Sequence, residues 1–227
     1  MCSYIKYTVT IYLKGEDGML NCIEDNEAKI IGVVDSYLTY SHEVHGECFY
    51  RFGIKAERLS STADVIIVTI SEHLLSQIQI EPGDRIAVFG QFRSYNNYTD
   101  GGIKLILTLF AKEIRAADDE ECSENEVYLN GFICKPVVYR VTPFGREIAD
   151  ILLAVNRAYN KSDYIPCIAW GRNARFAKNF VVGQNVKLWG RMQSRDYQKK
   201  LSETEVVTKT AYEVSVCRLD ISKCDEK

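Results

Sequence analysis

The chain repeats itself. Asn26-Glu27 runs to Gly32, and 99 residues later Asn125-Glu126 runs to Gly131. The same offset pairs Gly46 with Gly145, Arg58 with Arg157 and Asp64 with Asp163. One insertion then lengthens it to 100, so that Gly83 matches Gly183, Gly90 matches Gly190 and Ser94 matches Ser194. A period of this length is too long for a solenoid unit and suits a duplicated small domain. Each copy, at about 95 residues, is large enough to bury a core of its own.

The boundary between the copies is visible. Ala116-Ala117-Asp118-Asp119-Glu120-Glu121-Cys122-Ser123-Glu124 is acidic, lacks large apolar side chains and follows a strand-like run, which reads as a solvated linker over 116–124. The copies then occupy 26–115 and 125–220, with a short tail over 221–227. Ahead of them, Tyr4 to Leu13 alternates like a strand and Gly15-Glu16-Asp17-Gly18 reads as a turn. Residues 1–25 are therefore expected to form an N-terminal extension carrying a hairpin.

Both copies read as mostly β. In the second, strands are expected over Val127–Val138, Glu147–Arg157 and Tyr164–Trp170. A short helix over Arg172–Phe180 follows, then strands over Asn185–Gln193 and Thr204–Val216. Pro143-Phe144-Gly145 and Val182-Gly183-Gln184 mark turns. The first copy repeats the order, with Ser71–Ile80 in the helix slot and strands over Arg85–Arg93 and Ile103–Ile114. Three strands, a helix and two strands is the order of the OB-fold, a five-stranded Greek-key barrel. The expected class is all-β, two tandem OB-folds, each with one short helix. Glycines inside the strands suit sharp barrel bends.

Several function classes fall away. No apolar run approaches the ~20 residues of a membrane span, and Met1 to Leu13 lacks the apolar stretch of an export signal, so no membrane role and a cytoplasmic location are expected. The eight cysteines form no Cys-x-x-Cys pair and do not cluster with histidine, which predicts free thiols and no metal site. The three histidines (His42, His45, His73) have no nucleophile arrangement around them, and no phosphate-cradling glycine motif is present. The chain reads as a binding protein without cofactor, not an enzyme. Charge is divided unequally: residues 1–123 carry 11 Lys and Arg against 19 Asp and Glu (net −8), whereas residues 124–220 carry 15 against 10 (net +5). That asymmetry points to the second copy as the one that meets a polyanion.

The second copy resembles the bacterial single-stranded DNA-binding proteins. The matching stretches are Asn125-Glu126-Val127-Tyr128-Leu129-Asn130-Gly131, Leu153-Ala154-Val155-Asn156-Arg157 and Asp163-Tyr164-Ile165-Pro166-Cys167-Ile168-Ala169-Trp170-Gly171. Val182-Gly183, Trp189-Gly190-Arg191, Ser194-Arg195-Asp196-Tyr197 and Thr204-Glu205-Val206-Val207 follow in the same order. Together they span nearly all of 125–220; the first copy matches only through the second. The resemblance implies sequence-tolerant binding of a single strand, with aromatic rings stacked on base faces and basic side chains following the phosphates. It places stacking on Tyr159, Tyr164, Trp170 and Tyr197. Interleaved with these are Arg157, Lys161, Arg172, Arg175, Arg191, Arg195, Lys199 and Lys200, with Arg195 to Lys200 expected as a flexible basic finger between the last two strands. Trp189 is expected in the core.

At the corresponding positions the first copy has Ser60, Val65, Ser71 and Asn97, so all four aromatics are absent, although Tyr95 and Tyr98 flank the last. The first copy is therefore expected to be structural, supporting oligomerisation or receiving a replication or repair protein on its acidic surface. Family members surround DNA with four barrels, so the resemblance implies a homodimer of this two-barrel chain. It implies a role in replication, recombination or repair, near the nucleoid. The chain ends at Lys227 without the glycine-rich linker and acidic tip typical of the family, which leaves a recruiting role by that route unsupported.

Overall fold

A computed structural model describes residues 25–58, 62–99, 102–200 and 206–222. The hairpin expected within 1–25 lies outside them. The first repeat contains β1 (Asn26–Val34), β2 (Thr39–Val44), β3 (Glu47–Glu57), β4 (Ala63–Ser71), α1 (Glu72–Leu75), β5 (Arg85–Thr99) and β6 (Gly102–Ala116). The second contains β7 (Glu124–Ile133), β8 (Val138–Val141), β9 (Glu147–Arg157), β10 (Lys161–Trp170), α2 (Arg172–Ala177), β11 (Asn185–Lys200) and β12 (Val206–Ile221). The chain is all-β, and each repeat is an OB barrel.

Each barrel closes as a ring of five. In the first, β1 pairs with β3, β3 with β4, β4 with β6, β6 with β5, and β5 returns to β1. In the second the ring runs β7, β9, β10, β12, β11 and back to β7. All of these pairings are antiparallel except β4–β6 and β10–β12. Closure removes the exposed sheet edge inside each unit. Ile30, Ile54, Ile66, Val68 and Leu109 fill one barrel, and Leu129, Leu153, Ile165, Leu188 and Val214 the other, every one essentially inaccessible to solvent.

Glycine marks the tight crossings. A Cβ on Gly32 would meet the Lys55 carbonyl oxygen, and one on Gly131 would meet that of Ala154. These are the two points where the first strand of each barrel crosses onto the strand that closes the ring, and only hydrogen fits there.

The structure corrects several sequence expectations. The strand expected over Val127–Val138 breaks after Ile133. Pro136 lies in the break, where it has no N–H to give to a ladder, and the chain resumes as β8, paired with β9. The helix expected over Arg172–Phe180 is one turn and a half, ending at Ala177, with Ala174 and Ala177 buried. The slot in the first repeat holds only Glu72–Leu75, where the Ser71 hydroxyl accepts from the Leu74 N–H. The expected finger over Arg195–Lys200 is not a loop. Its backbone continues β11 in register with β12, from Arg195 opposite Ala211 to Lys200 opposite Val206. No Gly or Pro interrupts Arg191–Lys200, and the returning Val206-Val207-Thr208 is β-branched, so the ladder propagates.

The barrels join edge to edge. β1 pairs antiparallel with β7, with Ala28 opposite Val127, Glu27 opposite Tyr128 and Lys29 opposite Glu126. Ala28 and Val127 are each other's equivalents at the repeat offset, so a pseudo-two-fold axis passes through that pair. The result is a continuous 12-stranded sheet.

Off this axis the repeated polar residues face each other across the seam. Asp64 of the first barrel is fully buried and accepts hydrogen bonds from Arg58, from the Ser194 N–H at 2.8 Å and from Arg191 at 3.2 Å. In the mirror position Asp163 accepts from the Ser94 N–H at 2.8 Å and from Arg157 at 3.5 Å. Within each barrel, Asn26 and Asn125 bond both polar groups of one backbone residue, Phe92 and Met192 respectively. Of the residues shared by the two copies, Asp64, Asp163, Ser94 and Ser194 thus join the barrels, whereas Asn26 and Asn125 each brace their own. The connection between β6 and β7 is also pinned: Arg115 grips Glu121, Arg85 donates to its carbonyl, and the Arg115 guanidinium holds that carboxyl at about 2.

Burial alone would raise the Asp64 carboxyl, but the Arg58 guanidinium, the Ser194 N–H and Arg191 hold it below its usual value. A depressed carboxyl stabilises the fold above the unfolded value of ~3.9 and loses that contribution as pH falls through the lower folded value. Asp64→Asn is expected to destabilise the chain at neutral pH by roughly 3 kcal/mol, because Arg58 loses its buried partner. It is also expected to flatten the loss of stability below about pH 4. Urea unfolding followed by circular dichroism between pH 2.5 and 7 checks both.

Candidate nucleic-acid interface

The β9–β10 hairpin assembles the aromatic side chains. Its strands pair from Trp170 opposite Ile148 to Lys161 opposite Arg157, leaving a three-residue turn at Ala158–Asn160. Tyr159 sits at the tip with φ +62° and Asn160 with φ +54°. A tyrosine in the left-handed region is uncommon, and here it leaves the ring 93% exposed. Down the strand, Asp163, Ile165 and Cys167 point inward and are buried, while Lys161, Tyr164 and Trp170 are exposed. Tyr164 and Trp170, six residues apart, share the outward face. The Trp170 Nε1–H donates to the Ser215 hydroxyl at 3.3 Å, which fixes the indole against β12.

The first barrel helps to place this hairpin. The Tyr164 N–H donates to the Ser94 hydroxyl at 2.7 Å, and the neighbouring Asp163 receives the Ser94 N–H. An aromatic surface on one barrel is therefore held by a strand of the other.

The predicted basic residues divide into groups. Lys161 and Arg172 are exposed and form no ion pair among the described residues. Arg157 and Arg191 are bound to the seam carboxylates Asp163 and Asp64. Arg175 is paired with Glu147, which also accepts from the Tyr139 hydroxyl. Arg195 lies 3.4 Å from Glu213, whose carboxylate also receives the Gln193 amide. Tyr197, Lys199 and Lys200 are placed only by their backbone in β11; their side chains lie outside the described ones. The structure thus gathers Tyr159, Lys161, Tyr164 and Trp170 on one hairpin with Arg172 just beyond it, and puts Arg157 and Arg191 at the seam.

Trp189 corrects an expectation. It is not in the core but on the outside of β11, between the Tyr128 ring at 5.2 Å and the Arg218 guanidinium at 4.5 Å. Alternation along β11 decides this: Val186 and Leu188 on either side of Lys187 are the buried positions. Among the described residues no group of three or more His, Cys, Asp or Glu side chains is arranged to hold a metal ion, and no helix is long and apolar enough to cross a membrane.

With this geometry in place, comparison with known proteins is decisive. Residues 124–220 match the model of the single-strand binding protein family. A Streptococcus pyogenes relative, single-stranded DNA-binding protein 1, is 32% identical over 96 residues, which cover 39% of this chain and 74% of that protein. The chain belongs to the single-strand binding protein family. Two other members are Listeria innocua single-stranded DNA-binding protein 2 (35% over 97 residues) and Bacillus subtilis single-stranded DNA-binding protein A (33% over 96). The match takes in 38% and 39% of this chain but only 61% and 56% of theirs. The fold extends further than the sequence match. The crystal structure of the wild-type Thermus aquaticus single-stranded DNA-binding protein superposes with a TM-score of 0.70 over 86% of this chain and 92% of that one, at 18% identity. Both barrels are thus accounted for as architecture.

Sequence reasoning missed Phe144, which is 92% exposed at the tip of the β8–β9 hairpin. Its signal was present, since an aromatic inside a Pro-Phe-Gly turn has no core to enter, but the segment was read for its turn chemistry alone. It also missed Arg140, which pairs with Asp150 at 2.7 Å on the outward face beside β9. The seam arginines and the hairpin cations separate in a thermal melt. Arg157→Ala and Arg191→Ala are expected to lower Tm by a few degrees, on the order of 1 kcal/mol each, because each removes one donor from a buried carboxylate. Lys161→Ala and Arg172→Ala are expected to leave Tm within about one degree.

Proposed function

We propose that this chain binds single-stranded DNA without sequence preference and protects exposed strands during replication, recombination or repair. Residues 125–220 form the principal strand-binding barrel. The observation that carries the reading is the outward trio Tyr159, Tyr164 and Trp170 on one hairpin, flanked by the exposed cations Lys161 and Arg172, which form no ion pair among the described residues. Every base offers a π-face to such a surface and every nucleotide a phosphate to the cations. Tyr197, Arg195, Lys199 and Lys200 on the β11–β12 arm, with Arg157, Arg175 and Arg191, complete the contact set. Two chains pair as a homodimer presenting four barrels. The first barrel, residues 26–115, braces the second, and its acidic surface receives a replication or repair protein. The protein works in the cytoplasm at the nucleoid, as a binder without cofactor and not as an enzyme.

Tryptophan fluorescence titration with oligo-dT at low and high salt, on wild type and on Trp170→Ala, tests this. Quenching on the wild type is expected to weaken with salt. The substitution is expected to cost roughly 10- to 100-fold in affinity, as ~1–3 kcal/mol of stacking is lost. Absence of quenching at low salt overturns the reading in favour of a protein-interaction adaptor related to primosomal proteins.

A further inference from the structure

The face of the first barrel turned away from its core carries a row of side chains across four strands, in which Thr69 and Thr108 are buried and Arg51 and Arg93 half-buried. Arg51 on β3 is paired with Thr69 on β4. The Thr69 hydroxyl donates to that of Thr108 on β6 at 3.2 Å, and Thr108 is paired with Arg93 on β5. The sequence neighbours Phe52, Val68, Leu109 and Phe92 are in the core, so the row projects away from it. Each arginine lies on an aromatic ring. The Arg93 guanidinium is 3.5 Å from the centre of Phe110, and that of Arg51 is 5.2 Å from Tyr95. Phe49 packs on Phe110 at 5.8 Å, and His42 stacks on Phe49 at 5.0 Å and 10°.

Neither guanidinium meets a carboxylate within ion-pair distance among the described residues. The Nε of Arg51, the Nε of Arg93 and the Tyr95 hydroxyl are buried and have no hydrogen-bond partner. Burial pushes the Arg93 guanidinium below its usual value, and Arg157 adds to this. Two desolvated cations with unused donors, each stacked on a ring, form a receptor for phosphate oxygens.

The second barrel inverts the row. At the equivalent places stand Asp150, Ile168, Glu213 and Gln193, where Asp150 pairs with Ile168 and Gln193 with Glu213. The barrel with net negative charge carries the basic row, and the barrel with net positive charge carries the acidic one. The basic row also ends beside the aromatic hairpin. Ser94, between Arg93 and Tyr95, is the residue that holds Asp163 and Tyr164. A cleft over the seam is lined by Asp25, Gln91 and Lys112 on one side and Arg157, Ala158 and Asp163 on the other, next to Tyr159, so it carries two carboxylates beside its two cations.

We propose that the first barrel binds the same DNA strand through Arg51 and Arg93, with Phe49, Tyr95 and Phe110 as its apolar floor. These are not the positions that the second barrel uses, whose equivalents here are Ser60, Val65, Ser71 and Asn97. A strand leaving the second barrel at Tyr159 crosses the seam cleft and reaches Arg93 first. This deepens the strand-binding reading above and rests on it.

The test uses the full chain with a long oligo-dT carrying 5-iododeoxyuridine, in two measurements. In the first, photo-cross-linked peptides of the wild type are mapped; adducts are expected on Phe110, Tyr95 or Phe49 as well as on Trp170 or Tyr164. In the second, affinity is followed against salt. Arg51→Gln with Arg93→Gln is expected to reduce the log–log slope by about 1.4, at about 0.7 for each phosphate contact on a single strand. Arg51→Lys with Arg93→Lys is expected to keep the slope. Adducts confined to residues 125–220 together with an unchanged slope overturn the proposal. If the Gln pair fails to fold, the wild-type cross-link map alone decides. First-barrel adducts with binding insensitive to Trp170→Ala support this proposal while overturning the placement of the principal site on the second barrel.

Discussion

Everything in this molecule depends on the antiparallel ladder between β1 and β7. Each barrel closes without it, yet the ladder fixes how two closed rings stand to one another. By pairing Ala28 with its own repeat equivalent, Val127, it sets a pseudo-two-fold axis, and the axis dictates the rest of the seam. Asp64 meets Ser194 because Asp163 meets Ser94. A shift of one residue in the ladder would turn every side chain of β7 to its opposite face and separate Asp64 from Ser194 and Arg191, and Asp163 from Ser94, across the seam. The register is held by hydrophobic alternation on both strands and by the polar contacts flanking the axis.

Much of this was legible in the sequence, and the reason is physical. Duplication leaves a record wherever both copies need the same residue, and the needs here are close backbone approach at Gly32 and Gly131 and donor–acceptor matching at Asp64 and Asp163. The order of strands followed from alternation and turn chemistry. What those repeated polar residues do was not legible, because repeat spacing cannot tell a contact within one barrel from a contact between two. Spacing therefore offers Arg157 and Arg191 only as strand contacts, whereas each also lies against a buried carboxylate. The polar composition of the β11–β12 arm suggests a loop, and its unbroken ladder shows a strand pair.

The charge of a whole barrel also conceals its individual faces. Net charge describes the far field and says little about one face. Arg51, Thr69, Arg93 and Thr108 are scattered over nearly sixty positions of sequence and become neighbours only through the strand order β3–β4–β6–β5. Their acidic counterparts, Asp150 and Glu213, are similarly invisible inside a barrel with net positive charge. A two-residue alternation reveals which side chains face outward, but not which strands lie beside each other.

The short pinned connection between Ala116 and Glu124 has a consequence of its own. Two barrels on one chain meet at an effective concentration far above that of free subunits, so the pair does not come apart on dilution. Fusion also frees the halves to change separately, which identical subunits cannot do. In a pair of identical barrels, the axis makes the two ways round the surface equivalent. Here the axis relates the aromatic Tyr164 and Trp170 to Val65 and Ser71, and the Arg51 and Arg93 row to Asp150 and Gln193, so the surface has a head and a tail. A ligand whose two ends differ would meet such a surface in two distinguishable orientations of unequal energy. The fused pair is therefore directional where a pair of identical barrels is not.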